Sequence, residues 1–263
     1  MQALSKLLYV FTLLSLTFSA LAVPHLHKRL APACDLSHDD INTVIPSNIN
    51  DGQAKPLQPA IADHPTFVVL GVGYANYTCQ DDGTWFALGG LLELYDLSCV
   101  AIEDREAKTQ DVYEQWVAAD PSVTALDIIQ SAHSDSAYAW GQHYWVPDPN
   151  SPGDGSYNPE WDFASTVYGD VLAGTNHDDA YLIGYRTGIV PAPVDPADNI
   201  EWVTLSGYTN AAGEQYGHFA DQVFRIFCYG GVSSAGSCGV PGTTGTFKTA
   251  LNFWYYGGAF ATD

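Results

Sequence analysis

Cations are scarce in this chain. Lysine and arginine number 9 against 30 aspartates and glutamates over 263 residues, a formal net charge of −21, and the few bases do not cluster. A surface this negative repels phosphate backbones and anionic lipid, so neither nucleic acid nor a membrane is an expected partner. Long apolar runs are also missing after the leader: none approaches the roughly 20 residues that a bilayer-spanning helix needs. The five cysteines, Cys34, Cys79, Cys99, Cys228 and Cys238, include no C-x-x-C pair and no zinc-like spacing. Disulfides are then their default use. No internal repeat, linker or low-complexity tract interrupts the sequence.

The leader itself is informative. Lys6 precedes an apolar run from Leu7 to Phe18, and Ala20-Leu21-Ala22 supplies the small residues of a signal-peptidase site, so residues 1–22 read as a signal peptide and the protein as secreted. Lys28-Arg29 is a dibasic cleavage site, which makes 23–29 a short propeptide and 30–263 a single secreted domain. Processing removes Lys6, Lys28 and Arg29 but no acid, moving the net charge from −21 to −24 and leaving Lys55, Arg105, Lys108, Arg186, Arg225 and Lys248 as the only bases. Such a charge suits an acidic extracellular medium.

Short runs rich in aromatic and β-branched residues fill the domain: 66–72, 85–88, 91–95, 180–185, 202–205, 223–228 and 251–256. Each has strand character and turn residues separate them, Asp82-Gly83 among them, which predicts an all-β, antiparallel sandwich or barrel-like domain. A short helical insertion near 103–131 breaks the pattern. Val112, Trp116 and Val117, then Leu126 and Ile129, recur at helical spacing, with Asp120-Pro121 as a cap and first-turn proline between two helices. Five cysteines give two bridges and one leftover thiol, expected at Cys228 inside the apolar run 223–228.

Gly71-Val72-Gly73-Tyr74-Ala75-Asn76 imitates half of a dinucleotide fingerprint. Asn76 replaces the third glycine and no helix follows, so no nucleotide and no cofactor is expected. Asn76-Tyr77-Thr78 is a glycosylation sequon in the same stretch, usable if the turn there is exposed. Gly231-Val232-Ser233-Ser234-Ala235 falls one glycine short of a nucleophile elbow.

Six motifs in order, Asn76-Tyr77-Thr78-Cys79, Leu94 to Cys99, Gly141 to Trp145, Ile200 to Leu205, Val223-Phe224-Arg225 with Gly230-Gly231 and Cys238, and Phe253 to Tyr256, resemble a secreted fungal family of unknown function that is often labelled malate dehydrogenase in genomes. The resemblance covers nearly all of the chain beyond the leader. It implies the pairings Cys79 with Cys238 and Cys34 with Cys99, and no activity, since none is established for the family. The failed fingerprint gives the malate dehydrogenase label no support. The helical stretch and the 146–158 loop look longer than the family's, and Cys228 stands where the family tends to have another residue.

The best site candidate runs from His133 to Asp162. Trp140, His143, Trp145 and Trp161 are candidate ligand-binding residues, because aromatic faces beside polar groups suit sugar rings. His143, Glu160 and Asp162 are the candidate acid and base if the site is catalytic. Asp148 to Asp154 resembles a calcium loop, but prolines occupy its fifth and twelfth positions, so no metal is assigned; His177-Asp178-Asp179 and His38-Asp39-Asp40 read as polar turns. The favoured function is non-catalytic binding of a polysaccharide or an extracellular surface, and the alternative is an acid-pH hydrolase acting on polysaccharide. An open aromatic face favours the first, and a pocket joining His143 to a carboxylate favours the second.

Overall fold

A computed structural model describes residues 34–132, 141–163, 176–233 and 236–261; the expected signal peptide, the propeptide and Trp140 lie outside the described residues. Eight strands follow in order: β1 (Phe67–Cys79), β2 (Trp85–Asp96), β3 (Gly141–Pro147), β4 (Tyr157–Asp162), β5 (Tyr181–Val190), β6 (Trp202–Gly207), β7 (Gln222–Gly230) and β8 (Thr244–Tyr256). Each pairs antiparallel with the next, and β8 returns to β1 with Phe67 opposite Tyr255 and Thr78 opposite Thr244. The sheet is therefore a closed barrel rather than a sandwich, with its shortest seams where β2 meets β3 over 92–94 and β4 meets β5 over 160–162. Two helices, α1 (Arg105–Ala118) and α2 (Ala125–Ala132), form the insertion between β2 and β3.

Side chains alternate across each strand, and register decides which set faces the lumen. Val69 and Gly71 pair with Phe253 and Leu251, His143 lies between Leu92 and Trp161, and Val203 pairs with Arg225; this set points inward. An eight-stranded barrel is just wide enough to be filled by side chains or to hold one small ligand. Here the filling is uneven. At the end where β1 starts and β8 finishes, Phe67, Phe163, Phe219, Tyr255 and Phe260 interlock, with Phe219 at 4.0 Å from Phe163 and 5.0 Å from Phe67 between ring centres. A middle layer follows, in which His143 stacks 4.8 Å from Trp161 and Phe253 meets both rings edge-on. The opposite end is open.

The outer face of β8 and β1 is covered by α1, so β8 is buried on both faces and reads as a continuous apolar run instead of an alternation. Trp116 donates its indole N–H to the Gly73 carbonyl at 2.9 Å, and Asn252 donates to the Thr109 hydroxyl. A Cβ at Gly73 would run into the Leu91 carbonyl, so the second glycine of the G-x-G pair serves close strand packing. The N-terminal segment crosses the outside of β6 and β7, where the Gln58 and Ile61 amides donate to Thr204 and Gln222 side chains.

Two local expectations are corrected. The runs at 85–88 and 91–95 form one strand, bent by a bulge opposite Asn76/Tyr77. Gly89 there has φ 131°, and a Cβ on it would lie 2.5 Å from the Trp145 ring; only glycine suits both demands. The α2 cap is Thr124, not Asp120-Pro121. Asp127 accepts from the Thr124 amide and hydroxyl while Thr124 Oγ1 accepts from the Asp127 amide, a reciprocal box that satisfies the first turn. Asp120 instead closes a local turn on Ser122.

Candidate functional site

The open end of the barrel holds a cavity of about 340 Å³. Strand β3 supplies Trp145 to its wall, β5 supplies Arg186, β7 supplies Arg225, and the N-terminal segment contributes Lys55. Tyr157 and Tyr185 stand at the rim, 53% and 42% exposed. A smaller lobe of about 70 Å³ shares His143, Trp145, Arg186 and Arg225 and adds Glu201. Beside the rim, the 148–156 loop is pinned by two tyrosines: Tyr208 donates to Asp148 at 2.9 Å and Tyr216 to Asn150 at 2.9 Å. The calcium-like carboxylate of Asp148 is thus occupied by a phenol.

The two guanidiniums are incompletely satisfied. Arg225 donates through Nη2 to the Glu201 carbonyl at 2.9 Å and lies 3.9 Å from the Glu201 carboxylate, while its Nε is buried without a partner. Arg186 has no hydrogen-bond or ion-pair partner among the described residues. Arg186 is exposed as a residue, yet the surrounding wall crowds its charge. That crowding first, and the Arg225 charge second, push its pKa down, with Glu201 opposing.

Strand parity divides the cluster singled out in the sequence. His143, Trp145 and Trp161 face the lumen; Tyr144, Glu160 and Asp162 face the other way, where the Tyr144 hydroxyl lies 2.9 Å from Asp162 and 3.2 Å from Glu160 and shares one proton between them. Burial raises the Glu160 pKa, and the Tyr144 hydrogen bond works against that rise. The structure therefore brings Glu160 and Asp162 together at Tyr144 and sets the His143 ring on the opposite face of the sheet. Trp161 is 1% exposed and belongs to the middle core layer, whereas Trp145 reaches the cavity. Sequence reasoning missed Lys55, Arg186 and Arg225. The available signal was Arg225 itself, a lone cation within the apolar run 223–228 at an inward position.

His143 is held neutral. Its Nδ1 sits 2.8 Å from the Glu160 carbonyl, which makes Nδ1 the protonated nitrogen, and burial first, then the Arg225 charge, lowers its pKa from 6.5 to about 3. An unfolded chain takes up that proton first as the pH falls, so the stability contributed by the neutral ring is complete above about 6.5 and is lost progressively towards about 3. Relative to a His143→Gln variant, the native protein is expected to lose about 2 kcal/mol between pH 6.5 and pH 4.5, the slope rising from about half of 1.4 kcal/mol per unit at pH 6.5 to nearly all of it at pH 4.5. Urea unfolding of both proteins at the two pH values measures it; parallel losses would mean that the folded protein protonates His143 freely.

Other sequence candidates have local roles. Asn76 lies within β1, not in a turn, and its side-chain oxygen accepts from the Thr246 hydroxyl at 3.2 Å. Asp40 caps a short helical turn through the Asn42 amide, and His177 is exposed beside Asp178. Among the described residues, no group of three or more His, Cys, Asp or Glu side chains has the geometry of a metal site. Cys34 is joined to Cys99 and Cys79 to Cys238. Cys228 is free and buried, its thiol pushed up to about 12 by burial, which makes it unreactive at physiological pH.

Comparison of the chain with curated proteins and with solved structures finds no match. A family model does match, over residues 59–257, from the strand-leading segment before β1 to the residue after β8. That span holds the complete barrel, both helices and every wall of the cavity except Lys55. The chain belongs to the family described as Protein of unknown function (DUF3455).

Proposed function

We propose that the protein is a secreted fungal protein that binds carbohydrate in the open mouth of its barrel without cleaving it. The observation that carries this reading is the cavity: Trp145 in its wall and exposed Tyr157 and Tyr185 at its rim offer flat faces to sugar C–H groups, while Asn158 and the arginines offer hydrogen bonds to hydroxyls. Hydrolysis of a glycosidic bond needs two carboxyl groups flanking it, about 5 to 9.5 Å apart. Among the described residues the larger lobe is lined by no carboxylate, and the smaller lobe by Glu201 alone. The leader, the dibasic site, the sequon at Asn76 and the two disulfides all fit an extracellular setting.

The test is retention of the protein on insoluble cell-wall and plant polysaccharides at mildly acidic pH, with the supernatant assayed for released sugar. Retention without release is expected, and Trp145→Ala should weaken it on the order of tenfold, a loss of about 1.4 kcal/mol of stacking and contact. Soluble sugar accumulating with time would replace this reading with the hydrolase.

A further inference from the structure

We propose that the mouth of the barrel recognises its carbohydrate through an acidic group, a uronate carboxylate seated between the Arg186 and Arg225 guanidiniums with Lys55 beside them. The proposal rests on the carbohydrate reading of the cavity and adds the charge of the ligand.

The distribution of cations supports it. Only six bases lie beyond Arg29, and three of them serve α1: Arg105 is ion-paired to Asp39, Lys108 donates to the Ala132 carbonyl, and Lys248 donates to the Trp116 carbonyl at the helix C-terminus. The remaining three, Lys55, Arg186 and Arg225, all line the cavity at the barrel mouth. In a chain with 30 acidic residues, half of the lysines and arginines beyond Arg29 converge where, among the described residues, the larger lobe has no carboxylate to balance them. The negative surface acts at long range only weakly, because charges more than about 8 Å apart are largely screened at physiological salt. Within the mouth the local pair dominates.

The donors also match the group. Arg225 has an Nε without a partner, and Arg186 has its whole fork available. Two like charges brought together on β5 and β7 repel each other, and a carboxylate between them removes that repulsion while accepting from both. Glu201 does not fill this role: it touches only Arg225, at 3.9 Å, and is itself 53% exposed. The aromatic rim places a pyranose ring next to the carboxylate, which makes a sugar acid a better fit than a bare anion.

The experiment is calorimetric titration of the intact protein with trigalacturonic acid and with its methyl ester at about pH 5.5, where a uronate is ionised. The two probes differ in charge and little else. The free acid is expected to bind about 30-fold or more tightly than the ester. Arg186→Gln, which breaks no existing contact, and Arg225→Gln should each weaken the acid about tenfold or more and leave the ester unchanged; Trp145→Ala should weaken both ligands. Equal affinity for acid and ester, indifferent to the arginine variants, would overturn the uronate and leave the carbohydrate reading standing. Binding of neither oligomer would overturn both, and arginine-dependent binding of inorganic sulfate in that case would identify a simple anion site.

Discussion

Exchanging Cys79 and Cys238 together for serine is expected to lower the unfolding free energy by about 5 kcal/mol. The bridge spans 159 residues of sequence, enclosing both helices and most of the barrel, so its loss releases a very large loop in the unfolded chain. It also sits where the backbone is already aligned. The Cys79 amide donates to Thr243, the Gly242 amide to Cys79, and the Cys238 amide to Gly83, and these bonds hold the β7–β8 loop against the end of β1 in the folded state. The stabilisation therefore falls mainly on the unfolded state. A domain's whole stability is about 5 to 15 kcal/mol, so the serine pair should be largely unfolded under mild denaturant. The Cys34–Cys99 bridge, with a separation of 65, should contribute about 4 kcal/mol by the same argument. Urea unfolding of the two double variants measures both, and a loss below about 1 kcal/mol for the Cys79 pair would show that the backbone ladder alone restrains this region.

Asp39→Ala is the second large effect, at about 3 to 5 kcal/mol of stability. Arg105 is 1% exposed, lies 4.9 Å over the Trp254 ring, and has Asp39 as its charged partner. Beyond that pair Arg105 has one long bond to the Ser98 carbonyl, and its Nε and Nη1 have no partner. Removing the carboxylate leaves a positive charge buried between α1 and the barrel with only the long Ser98 bond and the Trp254 ring to offset it. Asp39→Leu combined with Arg105→Met should recover most of the loss, because the desolvation of two charges is removed along with their attraction. A double-mutant cycle by chemical denaturation separates these terms. Equal destabilisation by the single and the double substitution would mean that packing over Trp254, not charge, governs the site.

Strands were legible wherever apolar residues alternate or run together between turn residues, and Trp116 with Val112 marked the helix that covers the barrel. Closure was not legible, because it depends on β8 meeting β1, with Phe67 opposite Tyr255, and local periodicity carries no record of a contact across so much chain. The site divides in the same way. Parity alone separates Trp161 from Glu160 and Asp162 on one strand, and that much was present in the sequence. That His143 shares Trp161's face required the β3–β4 register. The arginines come from β5 and β7, far apart in sequence, and only the barrel brings them together. The α2 cap was misassigned because Asp120-Pro121 and Thr124-x-x-Asp127 both offer starting signals, and the reciprocal pair satisfies more backbone donors.

The packed phenylalanines at one end of the lumen have a topological consequence. Among the described residues that end is filled by packed rings and the other is open, so the lumen is shaped as a blind cup. A guest that enters this cup has to leave by the way it came, because the packed rings block passage along the lumen. For a polymeric guest the cup distinguishes ends from middles: a chain terminus or a side branch can reach the floor at Trp161, while an interior stretch can only lie across the rim between Tyr157 and Tyr185.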